Sequence, residues 1–246
     1  MTTKTLKRSK DRKVTNSVTA SGNARGANSF GLPSGRDFSC PGQTDFCGRI
    51  CYAGKLEKVY SGVRNVLMHN WDLLKDADID TMRDLLSDMI SEFVAETDRI
   101  NARGEVATYD FRIHWDGDFF SREYAMAWAD VIRAFGNVRF WAYTRTLDIV
   151  DVFDNLPNLA LYLSGDPDNM AQVNATADTY SYARIATVAD TFKEARATVL
   201  DSSRKSYDCP ELAKRIPLIS SKGSACISCG VCPAARGDVM FSASGK

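Results

Sequence analysis

The stretch Cys40-Pro-Gly-Gln-Thr-Asp-Phe-Cys47-Gly-Arg-Ile-Cys51 places three cysteines within twelve residues. Glycine and proline between them let the backbone turn tightly around a small group. Clustered thiolates suit zinc or iron–sulfur clusters. A closed zinc site or an ordinary cubane cluster takes four protein ligands, so three cysteines leave one metal position free for substrate, cofactor or water. The simpler alternative is three buried free cysteines.

A second cysteine group lies near the end of the chain, at Cys209, Cys226, Cys229 and Cys232. The Cys-x-x-Cys-x-x-Cys-Pro run resembles ferredoxin-type ligation more than a zinc ribbon, which prefers two separated pairs. We therefore predict an iron–sulfur site in the tail, with zinc as the alternative. One tail cysteine could instead complete the first site.

Composition sets the broad class. The chain has 246 residues and is 44% hydrophobic and 25% charged, which predicts one large globular domain or a barrel-like domain with appendages. Its 31 Lys and Arg residues balance 31 Asp and Glu residues, so net charge gives no general push toward nucleic acid or membrane. There is neither an apolar signal core nor a run near the roughly 18 residues of a membrane span. We expect a cytoplasmic protein, whose seven cysteines then indicate metal rather than disulfides.

The first 25 residues are basic and rich in Ser, Thr and Asn. Six Lys or Arg residues between positions 4 and 13 face a single Asp. This composition predicts a disordered solubilising tail over residues 1–25. The alternative is an arm that makes weak contacts with nucleic-acid phosphates.

Hydrophobic periodicity predicts alternating helices and strands. Apolar residues at three- and four-residue steps predict helices over residues 60–74, 79–100 and 121–135. His69, on the first of these, is expected to be structural. From residue 106 the period changes to two, which predicts a strand. Further strands are predicted at residues 138–143, 159–163, 179–185, 198–200 and 216–220.

Such alternation predicts an α/β fold with parallel strands, in the form of a partial or open (β/α) barrel. We assign it to residues 26–205, followed by a cysteine-rich segment over residues 206–246. Active sites in these folds gather at the carboxyl ends of the strands. Those ends are polar here, and their candidate site residues are His114, Asp116, Asp118, Thr144, Arg145, Ser164 and Asp166.

The strand near residue 110 has one apolar face and one polar face. If its apolar face meets the outer helices, then Asp110, Arg112 and His114 point inward. An open barrel with such an interior could hold a polar ligand, whereas a closed small barrel is filled by apolar side chains. The alternative is an edge strand wetted on one side.

The order of these features resembles the radical S-adenosylmethionine (SAM) enzymes. In that family a three-cysteine loop after the first strand holds a [4Fe-4S] cluster, and a Gly-Gly-Glu-like motif after the second strand contacts the amino group of SAM. The segment Asp116-Gly117-Asp118-Phe119 stands at the corresponding place. The spacing here, Cys-x6-Cys-x3-Cys, differs from the usual Cys-x3-Cys-x2-Cys. A cysteine-rich C-terminal segment with an auxiliary cluster is common among the members.

From about Ser29 onward the chain also resembles an actinobacteriophage iron–sulfur protein family of unassigned function. The similar motifs are Phe-Gly-Leu-Pro-Ser-Gly (30–35), Cys-Tyr-Ala (51–53), Gly-Asp-Phe-Phe-Ser (117–121) and Trp-Ala-Tyr-Thr-Arg (141–145). The resemblance implies a partial barrel of the radical-SAM type, one or two [4Fe-4S] clusters that could appear as [3Fe-4S], and the cytoplasm of a bacterial host.

Three functions remain open. In a radical-SAM-like enzyme, the loop cysteines would hold the cluster, Asp116 or Asp118 would bind the methionine amino group, and His114, Arg145 and Asp166 would line the substrate cavity. Gly117 and Ser164 would also contact the cofactor. The second hypothesis is a non-enzymatic electron carrier or a redox or nucleic-acid-linked regulator. The third is an aconitase-like lyase that uses the free iron as a Lewis acid. The substrate or electron donor is not identified by the sequence.

Overall fold

The computed structural model describes residues 5–15, 26–198, 204–221 and 223–245. Within these ranges the strands are β1 (Ser29–Gly31), β2 (Asp110–Asp116), β3 (Arg139–Thr144), β4 (Leu159–Gly165), β5 (Arg184–Ala189), β6 (Ser206–Asp208), β7 (Ile219–Ser220), β8 (Gly223–Ser224) and β9 (Asp238–Ser242). The helices are α1 (Asp45–Ile50), α2 (Tyr52–Val59), α3 (Ser61–Leu74), α4 (Ile79–Ala102), α5 (Arg122–Ala134), α6 (Met170–Thr179), α7 (Phe192–Ala197) and α8 (Ala225–Cys229), with a 3-10 helix at Leu147–Phe153.

The three predicted long helices are confirmed as α3, α4 and α5, with ends shifted by one or two residues. Polar caps explain where two of them begin. Asp78 accepts a hydrogen bond from the Thr81 N–H at the start of α4, and Ser121 accepts one from the Tyr124 N–H at the start of α5.

The strand predicted from residue 106 begins four residues later, at Asp110. The Asn101 side chain explains the delay, because its Oδ1 accepts from the Ala107 N–H at 2.8 Å and its Nδ2 donates to the Ala107 carbonyl at 3.1 Å. These bonds hold residue 107 against the end of α4 rather than in a sheet.

The later strand predictions had mixed outcomes. Those at 138–143 and 159–163 correspond to β3 and β4. The next predicted strand was placed too early, because residue 179 still belongs to α6 and β5 starts at Arg184. Within the 216–220 candidate, only residues 219 and 220 form a strand. The candidate at 198–200 lies outside the described residues apart from position 198.

Seven strands form one sheet in the order β1-β2-β3-β4-β5-β9-β6, and all of its pairings are parallel. The first five strands are neighbours in chain order, so each is joined to the next by a crossover that contains helical structure. Strands β7 and β8 form a separate antiparallel pair. Among the described residues β1 and β6 remain the two edges, so the predicted α/β class is confirmed, whereas closure into a barrel is not shown.

The two faces of the sheet are covered differently. One face packs against α4 and α5, and the shared core contains Phe111, Ile113, Trp128 and Phe140, all fully buried. The opposite face, called the inner face below, carries Trp141, Tyr143 and Tyr162. The C-terminal segment packs on the inner face through its cysteines. Arg112 of β2 points to the inner face, as its place in the alternating pattern predicted, and contacts the Tyr143 ring there.

Both ends of the chain are more integrated into the fold than their composition suggested. The C-terminal segment supplies β6 and β9, and β9 lies between β5 and β6. Residues 5–15 of the expected disordered tail are packed: Leu6 and Val14 are buried, and Arg8 and Lys13 form ion pairs with Glu96 and Glu211 at 2.5 and 2.6 Å. Residues 1–4 and 16–25 lie outside the described ranges. Among the described helices, none has both the length and the apolar character needed to span a bilayer.

Candidate functional site

The three-cysteine loop follows β1, includes the short helix α1 and ends where α2 begins. Cys47 lies within α1, and Thr44 caps that helix by accepting from the Cys47 N–H at 3.0 Å. Cys51 caps α2, since its Sγ accepts from the Gly54 N–H at 3.3 Å. All three loop thiols are free and partly exposed. Short helices and their caps therefore fix the loop cysteines locally.

Polar contacts fix this loop over the carboxyl ends of β3 and β4. The Thr44 hydroxyl donates to Asp166 at 2.5 Å, and the Phe46 N–H donates to Asp168 at 2.8 Å. Asp166 is fully buried and pairs with Arg145 at 2.7 Å. The backbones also approach closely, because a Cβ built on Gly42 would lie 2.3 Å from the Arg145 carbonyl oxygen.

Asp118 joins the ends of two neighbouring strands through hydrogen bonds. Its Oδ1 accepts from the Phe119 N–H and its Oδ2 from the Arg145 N–H, both at 2.7 Å. Burial raises the pKa of Asp118 to about 6, and the hydrogen bond from the Arg145 N–H is the largest influence opposing this rise. The Asp118 carboxylate thus ties the end of β2 to the end of β3.

Asp116 differs, because it is buried and neither carboxylate oxygen receives a hydrogen bond within the described residues. Burial, followed by the negative charge of nearby Glu57, raises the pKa of Asp116 to about 8. Glu57 itself accepts from the Ser34 N–H and hydroxyl at 2.9 and 2.5 Å.

The loop thiols interact with these charged groups. Burial raises the pKa of Cys40, and the charges of Asp118 and Asp116 raise it further. Burial also raises the pKa of Cys47; Arg145 opposes this rise and the neighbouring thiol of Cys51 adds to it. The structure therefore places the loop cysteines near Asp116, Asp118, Arg145 and Asp166 at the carboxyl ends of the strands.

His114 is placed elsewhere, contrary to the expectation that it points inward. Its backbone has φ +57°, which breaks the alternation of β2 and turns the ring toward the helix-covered face. There its Nε2 lies 2.9 Å from the Tyr124 hydroxyl, and its ring contacts Phe119 and Trp128. Burial and the charge of Arg112 lower its pKa to about 3, so the imidazole is neutral. The ring belongs to the core and not to the strand-end site.

The remaining predicted positions have structural roles at the strand ends. The Ser164 carbonyl accepts from Arg145 Nη1 at 3.0 Å. Gly117 has φ +84°, and a Cβ there would lie 2.4 Å from Ser39 Oγ and 2.8 Å from the Leu32 carbonyl. The chain after β2 therefore passes directly against the residues that lead into the cysteine loop.

The tail thiols meet on the inner face of the sheet. Cys209, Cys226 and Cys232 pack in one cluster with Tyr143 and Tyr162. Burial raises the pKa of Cys232 to about 12, and the charges of Cys209 and Cys229 contribute to the rise. Burial also raises the pKa of Cys226.

Within the described residues, no set of three or more His, Cys, Asp or Glu side chains is arranged to hold a metal ion. The loop thiols lie at the strand ends and the tail thiols lie on the inner face of the sheet. Among the described residues, neither group forms a preformed coordination sphere for a single ion.

Sequence reasoning missed three contributors to the strand-end site: Thr44, Glu57 and Asp168. Glu57 had a usable signal, since it is the only carboxylate between residues 46 and 71. Thr44 precedes an Asp at the start of a short helix, which is a capping pattern. The position of Asp168 depends on the turn after β4, in which Asp166 Oδ1 accepts from the Asp168 N–H at 2.9 Å.

Fold and site define an α/β protein whose parallel sheet carries a three-cysteine loop at the carboxyl ends of its strands. Within that class the chain belongs to the Gene product 88 family, whose sequence profile matches residues 3–235. The chain is 50% identical to the Gene 88 protein of Mycobacterium phage L5 over 248 aligned positions, covering 98% of this chain and 99% of that protein. It is 49% identical to the Gene 88 protein of Mycobacterium phage D29, with the same coverage. No solved structure matches the chain.

The predicted membership of a phage protein family is therefore confirmed. The family name makes no statement about iron, sulfur or SAM. Any inference about what this chain binds or catalyses therefore rests on the residues of its strand-end site.

Proposed function

We propose that this chain is an iron–sulfur protein in which Cys40, Cys47 and Cys51 hold a [4Fe-4S] cluster at the edge of a radical-SAM-like partial barrel. The position of the loop carries the proposal: three partly exposed thiols lie on one segment that is tied to the carboxyl ends of β3 and β4. The consecutive order of the first five strands supports the partial-barrel comparison. Three ligands would leave one iron without a protein thiolate, and loss of that iron would give a [3Fe-4S] form.

The donor chemistry fits a cluster better than a single zinc ion. The strand-end thiols are accompanied by carboxylates and an arginine, and the one histidine of β2 is turned into the core. A cluster is several atoms across, so its ligands need not converge on one point as zinc ligands do. Because the pKa values of Cys40 and Cys47 are raised, cluster binding would release protons.

Asp116 is the side chain best placed to bind a cationic group beside the loop. No described residue donates a hydrogen bond to its oxygens, whereas those of Asp118 are already occupied by two backbone N–H groups. An ammonium group such as that of SAM would supply donors to Asp116. Arg145 would stay paired with Asp166 and keep the loop in place. When bound, the cluster would supply electrons one at a time.

Anaerobic purification tests the cluster assignment. The protein should be brown and contain both iron and sulfide. Replacing Cys40, Cys47 or Cys51 by Ala should remove one cluster's worth of iron and retain the iron bound to the tail, while Cys229→Ala is the reciprocal control. A colourless protein that contains zinc alone would overturn the proposal, as would unchanged iron content in all three loop variants.

Electron paramagnetic resonance tests the radical-SAM component separately. SAM should alter the signal of the reduced cluster, and Asp116→Asn should weaken this response more than Asp118→Asn does. An intact cluster that does not respond to SAM would reject SAM chemistry and retain the cluster. A response to a hydroxy acid but not to SAM would identify the aconitase-like alternative.

A non-enzymatic electron carrier, or a redox or nucleic-acid-linked regulator, is the second candidate. The packing of the C-terminal segment favours this candidate. The segment covers the inner face, where a barrel enzyme would hold its substrate, and Trp141 and Tyr162 are fully buried there. A cavity of about 550 Å³ does lie beside Arg145 and Asp168, but it is at the rim of the sheet. Retention of the cluster signal without any SAM response would support this candidate.

A further inference from the structure

The outer surface of α2 and the start of α3 combines exposed aromatic, aliphatic and basic side chains. Tyr52, Val59 and Tyr60 are 53%, 70% and 56% exposed. Lys55 and Lys58 lie on the same side of α2 as Tyr52 and Val59, because these positions fall within one arc of a helix with 3.6 residues per turn. Large exposed side chains grouped in this way are typical of an interaction surface.

Positive charges outnumber negative ones on this surface, although the whole chain is neutral. Between residues 46 and 71 there are four Lys and Arg residues, namely Arg49, Lys55, Lys58 and Arg64, and one carboxylate. All four cations line a cavity of about 370 Å³, and Cys51 and Glu57 line it with them. Glu57 is half-buried and is bound by Ser34, so it does not neutralise the exposed lysines.

Tyr52 is held in place while its ring stays exposed. Its hydroxyl donates to the Trp115 carbonyl at 2.9 Å, which fixes the ring against the end of β2. A fixed aromatic ring loses little conformational entropy when a planar group stacks on it. Tyr60 lies eight residues further on, about two helical turns away, where α2 meets α3.

We propose that this surface binds single-stranded nucleic acid, with the cations contacting phosphates and Tyr52 and Tyr60 stacking on bases. Single-strand sites combine a basic groove with aromatic platforms, which is the combination found here. The inference does not use the proposed cluster, although Cys51, one of its proposed ligands, lines the same cavity. It also differs from the predicted basic arm, because Arg8 and Lys13 of that arm are paired within the protein.

Fluorescence anisotropy with a labelled mixed-sequence strand of about 20 nucleotides tests the proposal on the full chain as purified anaerobically. Lys55→Glu combined with Lys58→Glu should weaken binding at least about tenfold and reduce the slope of log affinity against log salt by about 1.4, since each phosphate contact contributes about 0.7. Tyr60→Ala should weaken binding by about tenfold and leave the salt slope unchanged.

Lys75→Glu combined with Lys193→Glu is the matched control, because it makes the same change in net charge at exposed positions elsewhere. The control should bind like the parent. Several results would overturn the proposal: absence of binding by the parent at low salt, equal loss of binding in the control, or equal affinity for duplex. Equally effective competition by free nucleoside triphosphate would instead indicate a small-molecule site, and equal competition by polyglutamate would indicate an acidic protein partner.

Discussion

Gly117 decides at the scale of one residue how closely the end of β2 can approach the cysteine loop. Its φ of +84° and the short distances to Ser39 and Leu32 would both oppose a side chain. Gly117→Ala should therefore lower the free energy of unfolding through two effects. Left-handed strain contributes about 1–2 kcal/mol, and steric overlap adds about 1 kcal/mol or more.

Gly104→Ala separates these effects, because Gly104 has φ +78° but nothing within 4 Å of a built Cβ. Urea unfolding should show that Gly117→Ala lowers the free energy of unfolding by the sum of both effects. Gly104→Ala should lower it by the left-handed strain alone. Equal losses in the two variants would show that contact with Ser39 and Leu32 has no energetic consequence.

His114 should make the protein sensitive to acid. Its pKa is about 3 in the folded chain, below the ordinary value near 6.5, so the unfolded chain binds the proton more readily. Its contribution to stability is fully present above about pH 6.5 and is lost progressively as pH falls toward about 3. His114→Asn retains a residue that tolerates positive φ and should flatten this part of the stability curve.

The chain has two histidines, so ring resonances in nuclear magnetic resonance spectra can be assigned by comparison with His69→Asn. The His114 ring signals should not shift between pH 7 and about pH 5, because the ring stays neutral throughout that range. A midpoint near 6.5 for His114 would contradict the buried placement.

The contact between the cysteine loop and the ends of β3 and β4 depends on the Arg145–Asp166 pair. Arg145 is 9% exposed and Asp166 is fully buried, so removing one charge leaves the other buried and unpaired. Asp166→Asn should lower the free energy of unfolding by about 3 kcal/mol and increase hydrogen exchange at the Phe46 and Cys47 amides.

The exposed Arg122–Asp151 pair provides the control. Asp151→Asn should cost less than about 1 kcal/mol, because solvent screens that pair. If both substitutions have similar small effects and loop exchange stays slow, the loop does not depend on the buried pair.

Sequence periodicity correctly predicted the helices that bury one continuous face. It failed where the contacts of a single side chain interrupt the regular strand pattern. The 3.6-residue pattern predicted α4 and α5 because each buries one continuous face. It could not reveal that Asn101 delays β2 or that His114 leaves the alternation. At the site, strand-end polarity predicted the grouping of Asp118, Arg145 and Asp166. The Glu57–Asp116 contact depends on how α2 packs, which no local pattern reports.

At the scale of the whole molecule, the C-terminal segment is both a cover and a part of the sheet. Few apolar residues follow Gly223, so metal binding by the tail cysteines is expected to help anchor this segment. The structure adds a second anchor, because β9 pairs with β5 and β6 and buries Val239 and Met240. Between β6 and β9, the described residues 210–221 and 223–237 belong to no strand of the seven-stranded sheet, whereas the Cys209 N–H still donates to the Met240 carbonyl at 2.8 Å. Any stabilisation by the tail cysteines should therefore be concentrated in the segment between β6 and β9.

Cys229→Ala tests this division. Metal binding can contribute on the order of 10 kcal/mol to the folding of a small segment, so disruption of a proposed tail cluster should open residues 209–237 to protease. Strand β9 should stay in the sheet, and mass spectrometry should place the new cleavage sites between β6 and β9. Circular dichroism of the uncleaved variant should match that of the parent. Ser228→Ala, the neighbouring position on α8, should resist protease as the parent does. Release of β9 with loss of global structure would show that the tail is held as one unit, and unchanged resistance would show that Cys229 does not hold it.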